Sequence, residues 1–137
     1  MESQITVEIL VNAPIGKVWE YWTKPEYIVN WNFASDDWCA PKAVNDLKVG
    51  GEFNFRMEAR DGSTGFDFQG TYDLVEPNKK IEYTIIGGRK VVIEFREEGN
   101  ECRVVETFEA EKINPLEMQR GGWQAILNNF KKYIEKR

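Results

Sequence analysis

The sequence predicts an α+β domain in which a curved antiparallel β-sheet wraps around one long C-terminal α-helix, with two short helices after strand 1. Three observations carry that prediction. From Phe53 to Ala110 apolar and polar residues alternate with period two, in runs separated by Asp61-Gly62, Pro77-Asn78, Gly87-Gly88 and Gly99-Asn100, the pattern of half-buried strands joined by tight turns. A single amphipathic helical pattern follows, from Asn114-Pro115 through Trp123, Ile126-Leu127 and Phe130 to Ile134. Near the N-terminus, Pro14 and Pro25 stand where each would open a short helix, because proline's missing N–H is tolerated in a first helical turn.

Each element has its own signal. Ile5, Val7, Ile9 and Val11 alternate with Thr6, Glu8 and Leu10, a strand that stops at Asn12-Ala13-Pro14. A helix then runs through Val18-Trp19 to Trp22, and Thr23-Lys24-Pro25-Glu26 has the spacing of a capping box, restarting the chain as a second short helix through Ile28 towards Trp31. Cys39 follows Trp38 in a second strand, and Gly50-Gly51 turns into a third, where Phe53, Phe55, Met57 and Ala59 share one face. Phe66, Phe68, Gly70, Tyr72 and Leu74, then Ile81, Tyr83 and Ile85, then Val91, Ile93 and Phe95 repeat the alternation. In the last strand Cys102, Val104, Glu106, Phe108 and Ala110 fall on one side, so a core-facing Val104 and Phe108 would carry Glu106 inward with them. Asn114 is the expected N-cap of the final helix, with Pro115 at its first position and Lys131-Lys132 and Lys136-Arg137 near its C-terminus.

Composition narrows the function. The 137 residues suit a single domain spanning 1–137, and a chain of this length buries roughly 68% of its unfolded surface without needing a disulfide or a metal. Cys39 and Cys102 form no Cys-x-x-Cys, and Met1-Glu2-Ser3-Gln4 has neither the basic nor the apolar stretch of a signal peptide, which predicts a reduced, cytoplasmic protein. A net charge of -5 opposes nucleic-acid binding, and no run approaches the ~18 apolar residues of a membrane span.

The chemistry is equally restricted. With no histidine, the Ser-His-Asp and Cys-His arrangements and the commonest transition-metal ligand are excluded. Asp36-Asp37 and Asp46 lack calcium-loop spacing and read as solvated loop residues, so no metal and no cofactor is assigned. Cys39 and Gly50-Gly51 read as core and turn rather than as nucleophile and phosphate cradle. Glu106 is the one carboxylate that its strand register places among aromatics, where a tyrosine hydroxyl or an arginine would be expected to satisfy it. Gly121-Gly122 inside a helix costs roughly 0.5–1 kcal/mol per glycine relative to alanine, which calls for close backbone approach, a bend or space kept open.

Ala13-Pro14 followed by Val18-Trp19, Trp22-Thr23-x-Pro25-Glu26, Trp31, Asp46-Leu47-Lys48-Val49-Gly50-Gly51, Phe68-x-Gly70-x-Tyr72 and Gly122-Trp123 resemble, in order and spacing, the START-like or SRPBCC superfamily of helix-grip proteins that includes the birch-pollen allergen-like proteins. More narrowly the chain resembles the branch named after the heat-shock-protein ATPase activator homologues, the AHSA-like proteins. The match spans essentially the whole chain. It implies a deep cavity between the concave sheet and the C-terminal helix, able to hold a hydrophobic or amphipathic small molecule. The branch's name implies a co-chaperone in the stress response.

On that frame Trp31, Phe33 and Trp38 would border the cavity mouth, while Phe53, Phe55, Phe68, Tyr72, Tyr83, Phe95, Trp123 and Phe130 would face the helix. Gly122 would leave room, and Tyr72, Tyr83 and Glu106 would orient a ligand's polar end. The expected function is non-catalytic binding of a lipid-like or aromatic metabolite, with the oligomeric state left open. The alternative is a protein-interaction or co-chaperone module with a chaperone partner, and a third is a cyclase- or hydrolase-like enzyme using Glu106.

Overall fold

Seven strands pair edge to edge in the computed structural model, which describes residues 3–137. In chain order the elements are β1 (Gln4–Val11), α1 (Ile15–Thr23), α2 (Pro25–Ile28), β2 (Trp38–Asn45), β3 (Glu52–Ala59), β4 (Gly65–Glu76), β5 (Lys80–Ile85), β6 (Lys90–Glu98), β7 (Glu101–Glu109) and α3 (Leu116–Ile134). β2 to β7 form an antiparallel meander, and β1 joins the free side of β7, giving the order β1-β7-β6-β5-β4-β3-β2. The architecture is the predicted α+β helix-grip. Its turns use the left-handed backbone at Gly62, Asn78, Gly87, Gly88 and Gly99, as the turn residues in the sequence require.

The alternation sets one face of every strand inward. Ile5, Val7 and Val11 of β1, Val104 and Phe108 of β7, Val91, Ile93 and Phe95 of β6, and Ile81, Tyr83 and Ile85 of β5 are buried beneath α3 and α1. α3 carries two kinds of contact. Leu127, Phe130 and Ile134 enter the core completely, while its flank reaches the outer edge of β1: Arg120 Nη1 donates to the Thr6 carbonyl at 2.9 Å, Gln124 Nε2 to that of Glu8 at 3.1 Å, and Lys131 Nζ to that of Leu10 at 2.9 Å. An edge strand otherwise presents such carbonyls to any passing chain.

Both expected helix caps are replaced by other contacts. The Thr23 hydroxyl donates back to the Trp19 carbonyl at 2.8 Å, closing α1, and α2 begins after Lys24 without a side-chain cap. Asn114 Nδ2 donates to Glu111 Oε1, and α3 begins after Pro115, also without a side-chain cap. Gln119 secures this corner instead, since its buried amide donates to the carbonyls of Glu111 and Asn114 and accepts from the Glu111 N–H. A side chain one turn inside the helix thus ties down the loop that precedes it, in place of a cap on the helix's own first N–H groups.

The glycines also sort differently from expectation. A Cβ added at Gly121 or Gly122 would meet nothing within 4 Å, so nothing in the structure explains either glycine sterically. At Gly70 a Cβ would lie 2.7 Å from the Phe53 ring and 2.6 Å from the Thr84 carbonyl oxygen. Close approach is real, but it occurs in β4, where Gly70 opposes Phe53.

Candidate functional site

Beneath the N-terminal half of α3 a partly open cavity of about 290 Å³ lies between the helix and the inner face of strands β3 to β7. Its ceiling is Gln119, Trp123 and Ile126 of α3. The floor is Phe55 and Met57 of β3, Phe66, Phe68 and Tyr72 of β4, Ile81 and Tyr83 of β5, Ile93 of β6 and Glu106 of β7. Trp22, Thr23, Ile28, Trp31 and Asn32 close one end. Arg89, Glu111 and Asn114 also line the cavity, and Phe66, half exposed, lies at its open side.

Aromatic packing makes these walls rigid. Trp123 stacks on Phe108 with centroids 3.9 Å apart and meets Phe68 edge-on at 6.0 Å. Trp22 and Trp31 both pack against Phe130, at 5.0 and 4.8 Å. Offset and edge-on aromatic pairs of this kind contribute about 0.5–1.5 kcal/mol each beyond area burial, so the wall keeps its shape without a ligand.

The polar groups inside divide into satisfied and unsatisfied. The Tyr72 hydroxyl donates to Asn45 Oδ1 at 2.5 Å, and Asn45 Nδ2 in turn donates to the Thr23 carbonyl at 2.7 Å. Glu111 accepts from the backbone and side chain of Asn114, and Arg89 Nη1 donates to the Glu109 carbonyl. Tyr83 and Glu106 are 7% and 4% exposed, and neither makes a hydrogen bond to another described residue. The tyrosine or arginine expected to satisfy Glu106 is therefore not bonded to it. Burial pushes the Glu106 carboxyl up to about 8. Burial also raises the Tyr83 hydroxyl well above its ordinary value, and the nearby Glu106 carboxyl adds to that rise.

Of the residues expected at the site, Trp31, Phe55, Phe68, Tyr72, Tyr83, Glu106 and Trp123 line this cavity. The others lie elsewhere. Phe53 folds over Gly70 beneath its neighbours Phe55, Tyr72 and Tyr83. Phe95 packs on Trp19 and Trp22, and Phe130 is fully buried against Trp22 and Trp31. Trp38 rests 6.0 Å from Phe66 on β2, Phe33 lines a separate groove with the Arg60 guanidinium over its ring, and Gly122 is not on the cavity wall.

Several lining residues lay outside the expected set. Met57, Phe66, Ile81 and Ile93 were readable from the inward alternation and Ile126 from the helical period, whereas Asn32 and Gln119 have no patterned signal. Cys102 is fully buried, its thiol pushed up to about 11 mainly by that burial, as suits a packing residue rather than a nucleophile.

A family model described as Activator of Hsp90 ATPase homolog 1-like protein matches residues 12–135. An AHSA1-like protein from Aeromonas hydrophila is 41% identical, with 98% of this chain and 93% of that chain covered at a TM-score of 0.92. A protein from Cytophaga hutchinsonii is 53% identical over 97% and 92% of the two chains, with a TM-score of 0.84. A Nitrosomonas europaea protein, 19% identical over 97% and 94% with a TM-score of 0.83, shares the fold. No curated protein matches the chain.

Proposed function

This chain belongs to the Activator of Hsp90 ATPase homolog 1-like family, and from that premise we propose that it binds an apolar or amphipathic small molecule between its sheet and α3. The observation that carries this reading is the cavity itself, walled by rigid aromatics and aliphatics with a few polar groups, the composition usual for small-molecule sites. Its volume of about 290 Å³ is roughly twice the ~150 Å³ of an apolar cavity that accepts benzene. A bicyclic aromatic is therefore the natural first probe. Naphthalene near its solubility limit is expected to raise the melting temperature, since anything that binds only the native state stabilises it. Backbone amide resonances of Phe68, Trp123 and Ile126 should move with it. No shift in either measurement, with naphthalene or its alkyl derivatives, would overturn the reading.

A second reading, a protein-interaction module of the kind the family's name describes, draws on one surface. Ile113 is 89% exposed, and Leu116, Met118 and Ile86 are exposed with it. The β5–β6 turn that carries Ile86 is tied to the end of β7 by Arg89 and Lys90, which both donate to Glu109. Apolar side chains left at one end of a sheet are a feature of interaction surfaces. The domain would then change the ATPase rate of an Hsp90-type chaperone, and Ile113→Glu with Met118→Glu would remove that change; an unaltered rate with the native domain sinks this reading. No helix here is long and apolar enough to cross a membrane among the described residues.

A further inference from the structure

Three buried polar side chains line the cavity without a side-chain hydrogen bond to another described residue: Asn32 just beyond α2, and Tyr83 and Glu106 on the sheet, which set the complement at the cavity floor. Tyr83 and Glu106 face it from β5 and β7, the strands on either side of β6. Tyr83 stands opposite Val91 and Glu106 opposite Ile93, so the two are one inward position apart along β6 and lean over it from opposite sides. A buried hydroxyl or carboxyl left unpaired costs roughly 1–3 kcal/mol, and an ionised carboxylate without a cation costs far more and takes up a proton instead. Both groups then present an O–H donor to the same space.

The surroundings bear on the charge of what could answer them. From β4 the Tyr72 hydroxyl is already bonded to Asn45, and α3, α1, α2 and the residues just beyond α2 offer Gln119, Trp123, Ile126, Trp22, Thr23, Ile28, Trp31 and Asn32, none of them charged. Arg89 and Glu111 are the charged lining residues besides Glu106; Arg89 gives one N–H to the Glu109 carbonyl and Glu111 accepts from Asn114, while the guanidinium keeps its charge and acts on Tyr83 but not on Glu106, which burial alone perturbs. A ligand carboxylate between Tyr83 and Glu106 would be buried with Arg89 as its one cation and away from Glu106, and an amine would take the Glu106 proton and be buried with it as an ion pair, so a neutral acceptor costs least to desolvate.

We propose that the cavity takes a neutral aromatic ketone of bicyclic size, whose carbonyl oxygen accepts one hydrogen bond from Tyr83 and one from Glu106; the proposal rests on the small-molecule reading above. Two converging donors match the two lone pairs of a carbonyl oxygen, and the apolar walls match the rings.

Two probes of nearly equal shape separate this inference from the reading beneath it: 2-acetylnaphthalene, and 2-isopropylnaphthalene, which lacks the oxygen. The ketone is expected to bind about a hundredfold more tightly, near tenfold for each donor, and its carbonyl stretch to fall on binding. Tyr83→Phe and Glu106→Leu should each remove about tenfold of that advantage, taken as the ratio of ketone to hydrocarbon affinity within the same variant, and return part of the stretch shift. Glu106→Gln keeps an N–H donor and should keep most of the advantage. As pH rises through about 8, the native protein should lose the Glu106 share of the advantage while Glu106→Gln does not. Equal affinity for the two probes, or tighter binding of 2-naphthoate or 2-naphthylmethylamine than of the ketone, overturns the proposal and leaves cavity binding standing. If neither neutral probe binds, both fail. A loss of affinity for ketone and hydrocarbon alike in the variants would mark the two residues as structural and overturn it too.

Discussion

The two halves of α3 lie over the same sheet and end differently. At the C-terminal half, Leu127, Phe130 and Ile134 are completely buried among Val18, Trp22, Ile28 and Trp31, contributed by α1, α2 and the residues just beyond. At the N-terminal half, Gln119, Trp123 and Ile126 look across a cavity at β3, β4 and β5. The short helices make the difference: they supply bulky side chains to one end of the grip, and nothing equivalent is inserted at the other. A solid core at one end anchors the helix, which permits a void at the other.

The largest effects should come from breaking the solid half. Phe130→Ala is expected to cost about 3–5 kcal/mol in urea unfolding, the range for a large buried aromatic, and Trp123→Ala roughly half as much because it borders an existing void. Equal losses would mean that the two halves are packed alike.

Next comes the buried acid of the open half. Glu106 holds its proton up to about pH 8 in the folded state, against an ordinary value of 4.5. Between those values the folded protein binds more protons than the unfolded chain, so its contribution to stability falls as pH rises, by up to roughly 1.4 kcal/mol per pH unit, and levels off above pH 8. Glu106→Gln should lack that slope in unfolding measured at pH 5, 6.5 and 8; parallel curves would place the carboxyl in contact with water or a cation.

Smaller effects distinguish the glycines. Gly70→Ala forces a methyl against the Phe53 ring and the Thr84 carbonyl and should destabilise by about 1–3 kcal/mol, as overpacking does. Gly121→Ala and Gly122→Ala meet nothing and should stabilise by about 0.5–1 kcal/mol each through helix propensity, with naphthalene binding unchanged. A binding loss at Gly122→Ala would show that the open side of α3 takes part in the site.

Strand alternation was enough to read the sheet, because a period of two specifies which face each residue takes. It does not specify depth along the helix axis. Phe53, Phe95 and Phe130 therefore shared a face with Phe55, Phe68 and Trp123 in the sequence, yet pack below or beyond the cavity. That separation depends on where α1 and α2 insert their tryptophans, a tertiary fact. Glu106's inward direction followed from Val104 and Phe108, but its lack of a bonding partner depends on strands distant in the sequence. The caps differ from expectation for a related reason: Thr23 and Asn114 have suitable chemistry, and their side chains bond Trp19 and Glu111 instead.

The clasp between α3 and β1 bears on the order of events at the ribosome. β1 finds its strand partner only in residues 101–109 and its edge cover only in Arg120, Gln124 and Lys131. The first strand to emerge is thus among the last to be paired, since contacts this far apart in sequence form late and close slowly. Until α3 is released, the core that Ile5, Val7 and Val11 enter is incomplete, and the nascent chain carries an uncovered apolar strand while β2 to β7 are made.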